Sequence, residues 1–160
     1  MESSQALSLK SLLEGQQVAS LATLHNAGPA VSMVPYALLP QGRGFIIHVS
    51  RLATHTADML ANPAVALLVV AAPGSAASPQ ELQRATVQGH AQQLNADSAE
   101  YSHAEALYLA RFPQSEETFG FSDFSLFIVR PQSVRFVGGF AQATSILARE
   151  FAAIMSAHTA

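Results

Sequence analysis

Three short apolar segments, separated by tight turns, constrain the fold of this chain more than any other feature of its sequence. Residues 17–25 alternate small and apolar side chains, residues 30–38 form a second such segment, and residues 45–50 a third. The turns between them, at 26–29 and 40–44, are rich in Gly and Pro, which favour chain reversal. A parallel pair of strands needs a crossover of about a dozen residues or more, so connections this short predict an antiparallel meander.

Further apolar segments follow the meander. The segment at 64–72 is almost continuously apolar, which indicates a strand covered on both faces. A longer strand is predicted at 83–94, with Gly89 as a bulge or barrel bend. The last strand is predicted at 124–137, interrupted by Pro131.

These patterns predict a mainly β fold, a six-stranded antiparallel barrel with flanking helices. Closing the sheet into a barrel removes the exposed edges of such apolar strands. The predicted helices lie at residues 7–13, 54–61, 97–112 and 146–158. The spacing reveals no internal repeat, so we expect residues 1–160 to form a single domain, as a chain of this length allows.

Composition narrows the classes of partner. Charged residues make up only 12% of the chain, against a usual share of about 25%, while 49% of the residues are hydrophobic. So much apolar surface favours a homodimer that covers part of it. The net charge is -3, Lys10 is the only lysine and the arginines are scattered, so we expect no nucleic-acid partner.

Several kinds of site are excluded or unsupported. The chain has no cysteine, which excludes disulfides and thiolate sites, and its six histidines show no metal-ligand spacing, so no metal is expected. No dedicated acid–base pair is identifiable, so no catalytic residue is assigned. The longest apolar run, residues 64–72, is too short to span a bilayer and the first residues are polar without positive charge; we therefore expect a cytoplasmic protein with no membrane partner.

The junction between the third strand and the following helix, Ser50 to Thr56, is the first candidate site. The first N–H groups of a helix lack internal partners and attract anions. Hydroxyl donors would come from Ser50, Thr54 and Thr56, a guanidinium from Arg51 and a ring N–H from His55. The alternative is that Ser50 or Thr54 merely caps the helix while Arg51 is solvated.

Three other segments leave their alternatives open. Pro35 inside a strand indicates either a plain edge strand or a place where a flat aromatic ring packs. Arg84 and Gln88 share one face of a strand, and would require an anionic partner if that face were inward but would be ordinary surface residues otherwise. In the segment from Arg135 to Phe140, the paired glycines Gly138 and Gly139 permit positive φ and a close backbone approach to a ligand or a second subunit. The alternative is a tight turn into the last helix.

In this order the segments resemble one family. The stretches at 19–24, 31–37, 48–56, 61–63, 108–113, 120–124 and 137–141 carry the likeness, which covers about residues 15–147. The chain resembles the pyridoxamine 5'-phosphate oxidase-like, FMN-binding split-barrel family, and is most similar to its haem-utilisation branch of the HugZ type.

That resemblance implies an FMN-binding homodimer with its flavin sites at the subunit interface. By position, Ser32, Met33, Val34 and Pro35 would lie along the isoalloxazine ring. The residues along the ribityl chain and phosphate would be His48, Val49, Ser50 and Arg51. His55 and Thr56 would complete the phosphate site. Arg84 and Gln88 would be polar cofactor contacts, and the turn at Gly138, Gly139 and Phe140 would approach the site, from the same or the partner subunit.

The resemblance favours a flavin-dependent oxidoreductase acting on an unidentified small substrate. The alternative is a flavin or haem carrier of the haem-utilisation type, without turnover. The chain departs from the vitamin B6 oxidases of the family, because Leu52 follows the Ser50-Arg51 pair where they carry a lysine, and because it has no tryptophan. The substrate therefore stays open at this stage.

Overall fold

The computed structural model describes residues 1–157, in which one eight-stranded antiparallel sheet is flanked by five helices and short 3-10 turns. The strands are β1 (Val18–His25), β2 (Gly28–Pro35), β3 (Ala37–Leu38), β4 (Phe45–Ser50), β5 (Ala64–Val70), β6 (Arg84–Gln93), β7 (Phe124–Val137) and β8 (Ala143–Leu147). The helices are α1 (Ser3–Gly15), α2 (Thr54–Ala61), α3 (Ala99–Arg111), α4 (Glu116–Phe119) and α5 (Ala148–Ser156). No helix in the described range is both long and apolar enough to cross a membrane.

The sheet curls back on itself at Tyr36. Its strands follow the order β2-β1-β5-β6-β7-β4-β3, with β8 beside β7. The two terminal strands, β2 and β3, are separated in the chain by Tyr36 alone, so one continuous segment forms both ends of the sheet. Tyr36 is fully buried, and its hydroxyl donates to Leu13 O at 2.7 Å, which fixes this point against α1.

Side-chain alternation divides the sheet into a filled interior and a second, smaller core. Leu21, Leu67, Val87 and Phe127 belong to the interior core, which α1 and α5 help to cover. The opposite face of β4 and of the first half of β7 is also buried, because α3 packs against it. Because both of its faces are covered, β4 has no strongly exposed residue.

A bulge divides β7 into two halves. The register of β6 against β7 shifts between Gln88 and Gly89, where Gly89 faces Pro131. A Cβ atom at Gly89 would lie 2.3 Å from Arg130 O, closer than any side chain tolerates. The bulge predicted at Gly89 is therefore confirmed, and it is the reason that Pro131 does not end the strand.

Three details differ from the sequence-based predictions. Eight strands stand where six were expected, because the second segment divides at Tyr36 and because residues Ala143–Leu147, expected to precede or begin the last helix, pair with β7. β5 is covered on one face only: Leu68 and Val70 are each 36% exposed. The last helix begins at Ala148 rather than Ile146, and its predicted end at His158 lies outside the described residues.

Candidate functional site

The barrel is open between β2 and β4. The ladder that joins β3 to β4 contains only two pairs, Ala37 with Ile46 and Leu38 with Phe45. On the other side of Tyr36 the chain pairs with β1 instead, beginning with Pro35 opposite Val18. Residues 32–35 and 48–51 therefore flank this opening from its two sides, and with the first turn of α2 they form what we call the split cluster.

The junction between β4 and α2 is held by the loop that precedes β7. Ser50 Oγ donates to Asp123 Oδ2 at 2.7 Å, and the Arg51 N–H donates to Asp123 O at 2.6 Å. The Arg51 guanidinium is otherwise bound only to Ser122 O, at 2.9 Å, within the described residues. The junction is thus fixed in place while most of the Arg51 donors stay available.

The first turn of α2 has no side-chain cap. Its N-cap residue is Ala53, and no side chain accepts from the N–H groups of that turn. The Thr56 hydroxyl donates to Ser50 O at 2.6 Å and therefore points back into the junction. The interpretation in which Ser50 or Thr54 caps this helix is wrong, and the partial positive charge of the helix start is not neutralised by a side chain.

His55 joins the two sides of the opening. Its Nδ1 lies 3.1 Å from Ser32 Oγ on β2, whereas its Nε2 is buried with no hydrogen-bond partner among residues 1–157. Burial lowers the pKa of His55 below its ordinary value, and the nearby Asp58 carboxylate partly offsets that effect. A buried ring nitrogen without a partner is uncommon and indicates a position that a ligand atom can satisfy.

Asp58 anchors the other face of α2 to β1. Its carboxylate accepts from Thr23 Oγ1 at 2.8 Å and lies 2.7 Å from His25 Nδ1. The hydrogen bond with His25 is the main reason that the pKa of Asp58 lies below its ordinary value. These contacts hold α2 in position, so the uncapped first turn faces the opening as a rigid element.

The side chain of His48 lies away from the opening, in the second core. Its ring stacks on Phe119 with centroids 3.8 Å apart and lies 4.9 Å from the Phe124 ring. Burial lowers the pKa of His48 to about 4, so the ring is neutral at physiological pH. The side chains of Val34 and Val49 also point away from the opening, into the interior core. Met33, by contrast, is 62% exposed beside the opening.

A second group of predicted site residues lies on the outer face of β6 and β7. Arg84 and Gln88 both face outward, so within a single chain their strand face is the outer one and not the inward one. Gln88 Oε1 accepts from Ser133 Oγ at 3.1 Å. Arg84 lines a cavity of about 440 Å³ with Arg135 and Phe140, and we call this cavity the arginine groove.

The turn at 138–140 forms the rim of the arginine groove. Gly139 and Phe140 both line it, and Phe140 is 73% exposed. Neither Gly138 nor Gly139 has a positive φ; the left-handed residue of this turn is Ala141, at φ 60°. The paired glycines therefore do not provide the conformation for which they were singled out.

The split cluster and the arginine groove lie at opposite ends of β7. Ser50 pairs with Phe124 at its start, and Arg84 pairs with Val137 at its end. At about 3.3 Å per residue, this separation amounts to roughly 40 Å along the strand. A single chain brings residues 32–35, 48–51, 55 and 56 together, but it does not bring Arg84, Gln88 or residues 138–140 to them.

Two residues acquire their place at these sites only through the assembled fold: Asp123, and Arg135 from the candidate segment 135–140. Asp123 fixes Ser50 and Arg51, whereas in the sequence it is only one residue of the 120–124 stretch that carries the family likeness, without a site role of its own. Arg135 becomes a neighbour of Arg84 through strand pairing, because Thr86 faces Arg135 and Arg84 faces Val137. The signal for Arg135 was its alternation with the buried Val134 and Phe136, which places it on the outer face.

The chain matches the family model described as pyridoxamine 5'-phosphate oxidase over residues 8–138. It is 30% identical over 138 residues to the chloroplastic non-canonical heme oxygenase HOZ of Arabidopsis thaliana. Among solved structures, it is similar to a heme-binding protein from Mycobacterium smegmatis, with a TM-score of 0.85 and 29% identity over 96% of this chain. HutZ, a heme storage protein from Vibrio cholerae, shares the fold, with a TM-score of 0.70 and 24% identity over 77% of this chain and 87% of HutZ.

The chain corresponds to only part of the first two of these relatives. It matches 84% of its own length to the plant protein but covers 40% of that protein, and it covers 62% of the mycobacterial chain. The family match and the fold agree with the expected split barrel and with the haem-utilisation branch of the family.

Proposed function

Because the chain belongs to the pyridoxamine 5'-phosphate oxidase family, we propose that it binds FMN at the split cluster and acts as a flavin-dependent oxidoreductase on a small substrate. The observation that carries the proposal is a group of polar atoms, at one junction, whose hydrogen-bonding capacity the described residues leave unused. The uncapped first turn of α2, the Arg51 guanidinium and the buried His55 Nε2 all belong to the same junction.

These donors suit a phosphate monoester. A helix start with free N–H groups binds an anion, and a guanidinium can hold two phosphate oxygens at once. The Ser50 hydroxyl is already engaged by Asp123, so Arg51 and the helix start would supply most of the phosphate contacts. Asp123 would then act by positioning the junction rather than by touching the cofactor.

The isoalloxazine ring would lie beside β2. Met33 and Pro35 present exposed apolar surface there, next to the opening. Bound FMN would supply the redox chemistry, by accepting and passing on electrons. The chain's own residues would bind and orient it, and Ser32, through its contact with His55, would keep the imidazole in register with the helix start.

We further propose that a second copy of the chain covers the outer face of β2, β1 and β5. In this region Ser20 of β1 pairs with Met33 on one side and with Leu68 on the other, so Met33 and Leu68 share the outer face. Val31, 71% exposed, and Val70, 36% exposed, extend this apolar surface. Burying such side chains stabilises an interface by about 1–2 kcal/mol each, which favours a homodimer through this face.

A second copy would also explain how predicted site residues that lie far from the split cluster could contact the cofactor. Arg84, Gln88 and residues 138–140 lie too far from the split cluster of their own chain to share its ligand. In a homodimer, the arginine groove of one copy would approach the split cluster of the other. The predicted cofactor contacts at Arg84 and Gln88 would then come from the partner subunit.

The direct test is an FMN titration followed by flavin fluorescence. The wild-type protein is expected to quench FMN at one per chain, and Arg51→Ala is expected to weaken binding about 10-fold to 150-fold, since a charged hydrogen bond contributes about 1.5–3 kcal/mol. Arg43→Ala is the matched control, because Arg43 lies on a turn and its side chain donates, within residues 1–157, to Pro40 O alone. Equal affinities for the two variants, or no binding by the wild type, would refute the proposal.

Turnover separates an enzyme from a carrier. If the protein is an oxidoreductase, NAD(P)H or another donor will reduce the bound flavin and an acceptor will reoxidise it repeatedly. Reduction that takes many minutes per cycle with every donor tried would favour a flavin carrier.

Haem is the second candidate ligand, favoured by the names of the relatives. The plant relative is called a heme oxygenase and the mycobacterial one a heme-binding protein, at 30% and 29% identity. Haem added to the purified protein, with and without FMN, would distinguish the two. A Soret shift that saturates at one haem per chain and is abolished by FMN would place both ligands at one site.

A further inference from the structure

We propose that a cleft at the other end of β4 from the split cluster binds a free α-amino acid with an apolar side chain, such as leucine. The cleft has a volume of about 550 Å³ and is lined by residues of α1, α3, α5, β3 and the 3-10 turn at Pro40–Gly42. None of its lining residues belongs to the split cluster or to the arginine groove. The site is therefore separate from those proposed for the cofactor, and binding there does not depend on flavin.

The cleft adjoins the residues that follow Tyr36. Ala37 and Leu38 of β3 line it, and Leu38 pairs with Phe45 at the start of β4. The split cluster lies at the other end of that strand, at Ser50, roughly 16 Å away along β4. A ligand in the cleft thus contacts the barrel where the sheet divides, but it does not reach the opening.

Most of the cleft wall is apolar. Its volume lies within the range of about 300–1,000 Å³ that is usual for small-ligand sites. Burying an apolar side chain against such a wall is favourable, because both surfaces are removed from water. The aliphatic side chains of the lining come from β3, the turn after it, α3 and α5, and they include Leu38, Leu39, Leu107 and Met155.

The charged groups in the lining are one base, Arg111, and one acid, Glu14. They form no ion pair with each other among residues 1–157. The Glu14 carboxylate lies 4.0 Å from Lys10 Nζ, at the outer limit of an ion pair, and its side chain is 53% exposed. Lys10 also donates to Ala157 O, so this lysine leaves much of the Glu14 acceptor capacity for an ammonium group.

Arg111 is held in place and has an unused donor. Its Nη2 donates to Glu14 O, at 3.0 Å, and to Gln16 O, which are both neutral carbonyl oxygens. The guanidinium carbon lies 5.6 Å from the centre of the Tyr36 ring and 5.8 Å from that of Phe112. The Nε atom is buried with no hydrogen-bond partner within residues 1–157. Such an atom is uncommon, and a carboxylate bound against this edge of the guanidinium would accept from it.

One base, one acid and an apolar wall are together complementary to a zwitterion with an apolar side chain. Arg111 would donate to the α-carboxylate and Glu14 would accept from the α-ammonium group, while the side chain would contact Leu107 and Met155. A simple carboxylic acid would bring its charge close to Glu14 without compensation, and a simple amine would do the same at Arg111. The cleft therefore discriminates against both in favour of the amino acid.

The experiment is an NMR titration of the full-length protein with ¹³C-labelled methionine methyl groups. The chain has four methionines, of which Met155 lines the cleft and Met33 belongs to the split cluster. L-Leucine should shift the Met155 signal until it saturates, while the Met33 signal stays in place. 4-Methylpentanoate lacks the amine and 3-methylbutylamine lacks the carboxylate, and each should bind at least about tenfold more weakly than leucine.

Two variants test the two parts of the cleft. Glu14→Gln should weaken leucine binding at least about tenfold without weakening the binding of 4-methylpentanoate. Glu117→Gln is its matched control, because Glu117 is exposed on α4 and outside the cleft. Ala110→Phe should fill the cleft and abolish binding, whereas Ala106→Phe, at an exposed position on the same helix but outside the lining, should not. The signal of Met59, in the interior core, reports whether each variant is folded.

The proposal is overturned if leucine gives no saturable shift of the Met155 signal, or if 4-methylpentanoate binds as tightly as leucine. Leucine binding that is unchanged in Glu14→Gln or in Ala110→Phe would overturn it as well. FMN, added in a separate titration, should act on the Met33 signal. Failure of FMN to bind leaves the leucine result unchanged, so the two proposals fail separately.

Discussion

The split cluster and the arginine groove differ in how far the chain itself satisfies their polar groups. In the split cluster, Ser50 and Thr56 are held by internal hydrogen bonds, and only the Arg51 guanidinium, the helix start and His55 Nε2 remain available. In the groove, two cations stand together without an acidic partner among the described residues. The first region therefore has most of its polar groups engaged within the chain, whereas the second carries two positive charges that no described acid neutralises.

The strongest way to break this arrangement is to remove the bulge that links the two regions. Gly89→Ala would place a Cβ atom 2.3 Å from Arg130 O, so β6 and β7 would have to move apart at the bulge. We expect a loss of roughly 3 kcal/mol or more in the free energy of unfolding, measured by urea denaturation. Gly139→Ala is the control, because its Cβ would meet nothing closer than 4.0 Å, and it should change stability by less than about 1 kcal/mol.

The pH dependence of stability sharpens the contrast, because strand β4, which flanks the split, carries the buried and titratable His48. The pKa of His48 is about 4 in the folded protein, below the ordinary histidine value, so the unfolded chain takes up the proton first as the pH falls. The contribution of His48 to stability is therefore complete above about pH 6.5, and roughly 2–3 kcal/mol is lost between pH 6.5 and 4.

His48→Phe keeps a ring in the same aromatic pocket and should flatten this part of the stability curve, measured by urea denaturation at several pH values. Some slope will remain, because burial also lowers the pKa of His55. An unchanged slope in His48→Phe would show that the imidazole does not carry the effect.

A smaller loss of stability is expected from a change at Tyr36, where the chain passes from β2 to β3. Tyr36→Phe leaves the buried Leu13 O without its 2.7 Å hydrogen bond and should cost about 1–3 kcal/mol of stability. Tyr101→Phe, at a half-buried site on α3, is the control. If Tyr36→Phe unfolds at the same urea concentration as the wild type, then its hydroxyl does not hold the start of the split.

Much of the fold was predictable, because alternation along each strand reports which face is buried. Six strand segments, α2 and the Gly89 bulge follow from local pattern, whereas β8 does not. The segments that the resemblance indicated, residues 32–35 and 48–51, lie on the two sides of the split. The division at Tyr36 was not predictable, since a residue buried from both sides resembles any other strand residue. The contact between Ser50 and Asp123, 73 positions apart, depends on the assembled barrel and leaves no local signal.

β5 shows where pattern reasoning was misled for a physical reason. Its apolar run predicted cover on both faces, yet Leu68 and Val70 are partly exposed in the single chain. The apolar residues of a strand match whatever covers it, including a second copy of the chain. The contacts within one chain leave out any such second copy. The discrepancy is what a face covered by a second copy would produce.

The most direct test of this two-copy account is an FMN titration of Leu68→Glu, with the oligomeric state followed by light scattering. Leu68 lies on the outer face of β5 and is not one of the split-cluster residues, so the split cluster should stay intact. The account predicts a monomer that binds FMN at least about tenfold more weakly than the wild type. Leu7→Glu, at an exposed position of α1, should remain dimeric and bind normally. A Leu68→Glu monomer that binds FMN as tightly as the wild type would contradict the account.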